Sequence, residues 1–332
     1  MRAMVLARQA PILSAPLALS DVPAPEPGPG EVRVRVAACA LCRTDLHVIG
    51  GDLPPRRRPL IPGHQVVGTV DRNGPGAGRF RAGDRIGIAW LRQTCGTCVH
   101  CRAGRENLCE AAIFTGYDAD GGYAEYAVVP QAFAYAIPPA FSDAEATPLL
   151  CAGIIGYRAL VRSEVPRGGR LGFWGFGSSA HVTLQVARAW GCEVYVATRG
   201  EKHQALAREM GATWVGGATD PMPTRVDAGI LFAPAGELVP AALRSIEKGG
   251  TLAVAGIWLS PIPGLDYERE LSHERTLRSV TASTRADGEA LLGEAAAITI
   301  RPRITTMPLS EANRGLQLLQ SGEIDGTAVL LI

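Results

Sequence analysis

The sequence predicts an α/β chain in two parts: a barrel-like all-β unit and, inserted into it, a doubly wound parallel sheet. Three observations carry this. Short strands of period two, separated by glycine- and proline-rich turns, recur from Glu31 to Val129. From Arg170 a strand, a Gly-x-Gly-x-x-Ala turn, a helix and a second strand follow one another, and a βα rhythm continues from there. The last residues, Val329-Leu330-Leu331-Ile332, read as a strand returning to the first part. At 332 residues the chain is long for a single core. The expected division is 1–152 with 285–332 for the outer part and 153–284 for the insertion.

Composition narrows the possibilities. A net charge of +1 gives no electrostatic reason to expect a nucleic-acid or membrane partner. No run approaches the roughly 18 apolar residues of a membrane span. The first residues, Met1-Arg2-Ala3-Met4-Val5-Leu6, lead into strand-like sequence without a signal-peptide pattern, so a cytoplasmic protein is expected. In that compartment the 8 cysteines read as metal ligands or free thiols before disulfides. Lysine occurs only at Lys202 and Lys248, a compositional bias rather than a site.

Residues 1–35 alternate like paired strands around the turn Pro23 to Gly30, and Glu31 to Val36 is a period-two strand delivering the chain to Cys42. A proline-rich loop, Leu53 to Pro62, precedes the strand Gln65 to Val70, and Arg79 to Ile86 is a turn into another. Cys95, Cys98, Cys101 and Cys109 follow at C-x2-C-x2-C-x7-C within a lobe, residues 91–112. Four thiols so close suit a closed tetrahedral zinc. An iron–sulfur site or redox pair is the alternative, but Cys109 has neither the spacing nor the following proline of the usual cluster run. His100, among them, reads as surface. Asp120 to Val129 is a turn and strand completing the barrel. Ser142 to Leu160 turns helical, with Ser142 or Asp143 as N-cap and Cys151 inside the segment.

Gly175, Gly177 and Ala180 form the turn after strand Arg170 to Trp174, with Ser178 and Ser179 inside it, and the helix runs from Ala180 to Trp190. With strand Glu193 to Ala197 behind it, this is a dinucleotide fingerprint: glycines admit the pyrophosphate to the backbone, and the helix N-terminus attracts its charge. A partner NAD would call for an acidic residue at the end of the second strand. The chain has Thr198-Arg199-Gly200 instead, so Arg199 favours the 2′-phosphate of NADP, unless it stacks on the adenine and selects nothing. Further strands at 213–215, 228–232, 251–255 and 277–280, with helices at 203–210 and 239–247, make six strands. Helices at 285–297 and 311–321, the second ended by Gly322, precede the final strand.

The stretch Cys42-Arg43-Thr44-Asp45-Leu46-His47 gathers a thiol, a hydroxyl, a carboxylate and an imidazole. Cys42, His64 and Cys151 read as one zinc site: two thiolates, an imidazole and an open fourth position belong to catalytic rather than structural zinc. Three unrelated residues are the alternative. Cys42 to His47, Gly63-His64 and the four-cysteine lobe closely resemble zinc-dependent medium-chain alcohol dehydrogenases, nearest the bacterial enzymes grouped with cinnamyl-alcohol dehydrogenases. The resemblance spans nearly the whole chain. It implies a GroES-like catalytic domain, an inserted Rossmann domain, two zincs per chain with the second in the lobe, and a homodimer or homotetramer.

It also implies roles. Thr44 and His47 would be the two ends of a proton relay through the cofactor ribose, where the bland readings are a turn hydroxyl and a solvated histidine. Asp45 would bind the other nitrogen of a metal-bound imidazole, or else cap a helix. Arg43 would meet the cofactor pyrophosphate, or else make a surface ion pair. Trp90 resembles the aromatic that narrows the family's pocket and favours slim alcohols, though core packing also explains it. Trp258, just past Gly256 at a strand end, would border the same pocket. The family's Gly-His-Glu reads Gly63-His64-Gln65 here, which removes a charge beside the metal. The expected activity is hydride transfer between an alcohol and NAD(P). A zinc polyol dehydrogenase or a non-catalytic NADP-binding redox sensor are the other readings.

Overall fold

The computed structural model describes residues 1–332, which group into two compact units. The first comprises Met1–Cys151, Ser283–Ala296 and Pro302–Ile332, and the second Ala152–Ala282 with Ala297–Arg301. The tail Ala297–Arg301, expected with the first part, groups with the insertion instead. Gln185 on the insertion's helix Ser178–Ala189 explains it, accepting from the Arg301 N–H at 2.9 Å and donating to the Arg301 carbonyl at 3.2 Å.

The first unit is organised on the strand Glu31–Ala40. One edge pairs antiparallel with Val66–Asn73. The other is shared by Tyr126–Pro130 along its first half and Thr327–Leu331 along its second. Arg85–Ile88 and Ala134–Ala136 extend the sheet on one side and Ile304–Pro308 on the other. The alternation of valines lets Val32, Val34 and Val36 face a core with Val66, Ile86, Ile88 and Val129. Burying that apolar surface is the main stabilising term.

Two expectations need correction. The first segment does not pair across Pro23 to Gly30. Arg2–Leu6 pairs with Leu17–Asp21, turning through the 3-10 helix Ile12–Ser14 and a left-handed Ala15 (φ 51°). Prolines 23, 25, 27 and 29 have no N–H to give a ladder, so that stretch joins no strand, and Arg2–Leu6 finds its partner before it. Nor is 142–160 one helix. Ser142 forms a capping box with Glu145 on the helix Asp143–Ala146, a 3-10 turn Thr147–Leu150 follows, and the helix Ala152–Ser163 starts after Cys151. Cys151 has φ −139° and ψ −67°, outside the helical region, so the chain bends there. A further helix, Arg43–Gly50, stands where only a motif was read. No single helix is long and apolar enough to cross a membrane.

The second unit is a six-stranded, wholly parallel sheet. Its strands are Arg170–Trp174, Glu193–Ala197, Trp214–Gly216, Ala228–Leu231, Thr251–Ala255 and Thr276–Val280. Counted along the chain they lie in the order 3-2-1-4-5-6, the doubly wound arrangement that puts a binding crevice at the carboxyl ends of strands 1 and 4. The interior strands are continuous apolar runs, as a sheet covered on both faces requires. Helices Ala152–Ser163 and Ser178–Ala189 pack closely: a Cβ on Gly156 would stand 2.0 Å from Thr183 Oγ1.

Candidate active site

Cys42 leaves the central strand and becomes the N-cap of helix Arg43–Gly50. Its sulfur lies 3.5 Å from the Thr44 N–H, and its own N–H donates to Asp45 Oδ2 at 2.8 Å. The cap therefore serves two ends. It satisfies main-chain N–H groups that a helix start leaves over, and it aims the thiol. His64 is fully buried, reached from the next strand by Gly63 at φ 96°. Cys151 arrives on the break between helices described above.

Although 22 and 87 positions apart along the sequence (64 less 42, 151 less 64), these three meet: their ligand atoms lie within 4.8 Å of one another. His64 Nε2 is 3.3 Å from Cys151 Sγ. Tetrahedral zinc, with bonds of about 2.0 to 2.3 Å, sets its ligand atoms about 3.3 to 3.8 Å apart, so this donor set and spacing fit such an ion.

The electrostatics agree with the geometry. The Cys151 thiol beside it pulls Cys42 well below the ordinary thiol value, against burial and with help from His64. Cys151 is pushed well above it by the Cys42 thiolate and by burial. The two sulfurs are thus coupled and pushed in opposite directions. Burial opposes charge on His64, yet the Asp45 carboxylate and the Cys42 sulfur outweigh it and push the imidazole up to about 10. Two thiols and an imidazole beside a buried carboxylate become strongly negative once their protons leave, a charge that a divalent cation would neutralise.

Asp45, 1 % exposed, supports the imidazole: its Oδ1 lies 3.0 Å from His64 Nδ1. Its Oδ2 also accepts from the hydroxyl of Tyr123 at 2.8 Å. Tyr123 is fully buried, and burial together with the Asp45 charge pushes its phenol well above the ordinary value, so it remains a donor. Thr44 is buried with Oγ1 3.6 Å from Cys42 Sγ. His47 stands in the last turn of the same helix, its Nδ1 2.7 Å from Asp52 Oδ2 and its side chain 20 % exposed. Arg43 is exposed at the helix start. Gln65 is buried and donates to the Ala40 carbonyl at 3.4 Å. Trp90 meets the His64 ring edge-on, centroids 5.0 Å apart, and stacks on Phe114 and Tyr117 at 4.9 and 6.0 Å. Tyr123, Asp52, Phe114 and Tyr117 were not singled out from sequence. Only the acidic Asp52, one turn past His47, left a readable signal there.

In the lobe, the sulfurs of Cys95, Cys98, Cys101 and Cys109 also lie within 4.8 Å of one another. Cys95 Sγ is 3.6 Å from Cys109 and 3.9 Å from Cys101, far beyond a disulfide bond. Main-chain N–H groups point at the sulfurs: Cys98 at Cys95 (3.3 Å) and Cys101 at Cys98 (3.4 Å). Cys95 is lowered to about 6, first by Thr97 and Cys98 N–H groups. Such a nest favours thiolates, and the set suits a closed four-thiolate zinc. His100 is not simply surface, as expected: it is half-buried in the short helix Val99–Arg102, and its Nδ1 is enclosed without a hydrogen-bond partner.

In the second unit, Gly175 at φ 96° turns the chain off its strand, and Gly177 is the N-cap of helix Ser178–Ala189. The helix thus starts two residues before the expected Ala180. A Cβ on Gly175 would lie 2.8 Å from the Ala233 nitrogen, so only glycine fits. Ser178 and Ser179 form the first turn, and Ala180 is buried beneath it. Thr198 is buried at the end of the neighbouring strand, with Arg199 exposed after it. Arg199 lowers the Glu237 carboxyl, although the Glu237 main chain and Ser260 hydroxyl lower it more. Gly256 and Trp258 are exposed in the loop after strand Thr251–Ala255, Trp258 at 50 %.

Comparison with known proteins gives a consistent picture. Residues 28–139 match the alcohol dehydrogenase GroES-like domain, and residues 180–297 the zinc-binding dehydrogenase domain. The chain is 51 % identical to the "Probable alcohol dehydrogenase AdhA" of Mycobacterium tuberculosis (strain CDC 1551 / Oshkosh), over 100 % of this chain and 97 % of that protein. A solved NAD-dependent alcohol dehydrogenase superposes with a TM-score of 0.91 at 26 % identity, over 100 % of both chains. The cobalt- and zinc-bound thermostable alcohol dehydrogenase from Pyrobaculum aerophilum does so at 0.90 and 26 %, over 100 % of this chain and 99 % of that one.

Proposed function

Because the chain belongs to the zinc-type alcohol dehydrogenases of the medium-chain dehydrogenase/reductase superfamily, we propose that it interconverts a primary aliphatic or benzylic alcohol and its aldehyde at Cys42, His64 and Cys151. The observation that carries this is the convergence of those three donors beside the Thr44 hydroxyl. When bound, zinc polarises the substrate oxygen and the nicotinamide exchanges the hydride. Cys42, His64 and Cys151 would hold the catalytic ion, and Cys95, Cys98, Cys101 and Cys109 a structural one.

The protein's own groups do the remainder. The Thr44 hydroxyl takes the proton that the alcohol gives up while passing its own on toward the cofactor ribose. His47, three positions further along the same helix and partly exposed, releases it to solvent, with Asp52 orienting its ring. Asp45 fixes the tautomer of His64. Trp90, held flat by Phe114 and Tyr117, restricts width next to His64 and favours slim substrates over the bulk of a polyol. Gln65 leaves this environment one negative charge poorer than a glutamate would. Arg43 would meet the cofactor pyrophosphate, Gly175 to Ala180 with Gly256 would hold the dinucleotide, and Trp258 would border the substrate pocket with Trp90. Arg199, with no carboxylate at the end of its strand, favours NADP over NAD. A homodimer or homotetramer is the expected assembly.

Turnover of a panel of alcohols with each cofactor, with and without a chelator, tests the activity. Cys42→Ala abolishes turnover while nucleotide still binds; retained turnover removes Cys42 from the mechanism. Arg199→Ala weakens NADP far more than NAD, and equal weakening of both refutes the cofactor preference.

A further inference from the structure

The Asp45 carboxylate has three donors around it, and each oxygen has its own task. Oδ2 accepts from the Cys42 N–H and from the Tyr123 hydroxyl, both at 2.8 Å, which leaves Oδ1 for His64 Nδ1 at 3.0 Å. Tyr123 comes from the loop before strand Tyr126–Pro130, which supplies no metal-ligand candidate, 78 positions from Asp45. Its phenol is fully buried, and a buried phenol hydroxyl must find an acceptor. The ring has a separate job. It fills the space over Gly63, where a Cβ would stand 2.3 Å from Tyr123 Cδ1. Phenylalanine would keep that packing and lose only the hydroxyl.

Resting on the reading that Cys42, His64 and Cys151 hold zinc, we propose that Tyr123 is a positioning residue for the metal. Its hydroxyl anchors Asp45 Oδ2, so that Oδ1 holds the His64 ring with Nε2 turned toward the two cysteine sulfurs. Without it, the carboxylate can rotate and share both oxygens with the Cys42 N–H, and the imidazole loses its fixed orientation.

The test compares full-length wild type, Tyr123→Phe, Asp45→Asn and the double variant. Bound zinc is counted by elemental analysis and its release timed with a chromophoric chelator. The lobe zinc serves as an internal control, and melting is followed with the zinc removed. Tyr123→Phe is expected to weaken retention of one zinc about 10-fold, the lower end of the range for such supporting partners, and to leave the lobe zinc unchanged. In the Asp45→Asn background it adds nothing, because the hydroxyl acts through Asp45. Zinc-free Tyr123→Phe loses the same buried hydrogen bond and melts below zinc-free wild type, but by less than the zinc-bound proteins differ.

Four results overturn the proposal: unchanged zinc retention, a full extra effect on top of Asp45→Asn, an equally lowered melting point without zinc, or a Tyr123→Phe chain that does not fold. A wild-type protein holding only the lobe zinc would refute the metal-centre reading itself. The wild-type zinc count alone identifies that failure.

Discussion

Gly63 carries two constraints at one position. Its φ of 96° lies in the left-handed region, and its missing Cβ leaves room for the Tyr123 ring. Gly63→Ala therefore adds backbone strain and overpacking, together about 3 kcal/mol or more. The expected result is a lowered urea midpoint with an unchanged slope; an unchanged midpoint would show that the ring can give way. Residues of this kind divide sharply in how far the sequence reveals them. Cys42, His64 and Cys151 are legible because thiols and imidazoles are rare and their neighbours form a motif. Asp45 is legible as a carboxylate in that motif, though its place in the first turn of a helix is visible only in the fold. Tyr123 is not, since a phenol in a turn-and-strand stretch looks like any other aromatic until the fold brings Asp45 to it. His100 is hidden for the same reason: its enclosure depends on packing that no spacing records.

Among elements, the break at Cys151 shows where periodicity misleads. Apolar spacing from Ser142 to Leu160 is continuous, yet the backbone changes from α to 3-10 and leaves the helical region at the cysteine itself. A helix running through would have kept that thiol on a regular face. A second joint fixes the cysteine lobe. The 3-10 turn Glu106–Leu108, just before Cys109, is tied to the start of helix Arg285–Ile298. Glu106 accepts from the Arg285 N–H at 3.1 Å and from its Nε at 3.2 Å. Burial works against the Glu106 charge, but these Arg285 donors outweigh it and hold the carboxyl below its ordinary 4.5. A depressed carboxyl contributes stability above 4.5 and loses it as pH falls through the folded value. Wild type should accordingly melt higher than Glu106→Gln at neutral pH, and the gap should close in acid. A gap of the same size at pH 3 would exclude the ion pair as its source.

At the scale of the molecule, the two-part plan was legible because its halves follow different rhythms, alternation in one and βα repetition in the other. The count of six strands was legible from the βα rhythm, whereas the 3-2-1-4-5-6 order is visible only in the fold, since right-handed crossovers are compatible with more than one order. The partner of the first strand was not legible, since the choice between neighbouring hairpin turns rests on which backbone groups are free to pair. The bend at Cys151 has a consequence in polymer terms. That residue closes the first continuous stretch of its unit, immediately before the insertion begins. An ion gripped at 42, 64 and 151 would tie the chain into two consecutive loops, the second far longer than the first. Such a cross-link restricts the unfolded ensemble much as a disulfide does, by an amount that grows with loop length. The metal would then be a knot in the polymer as well as a reagent.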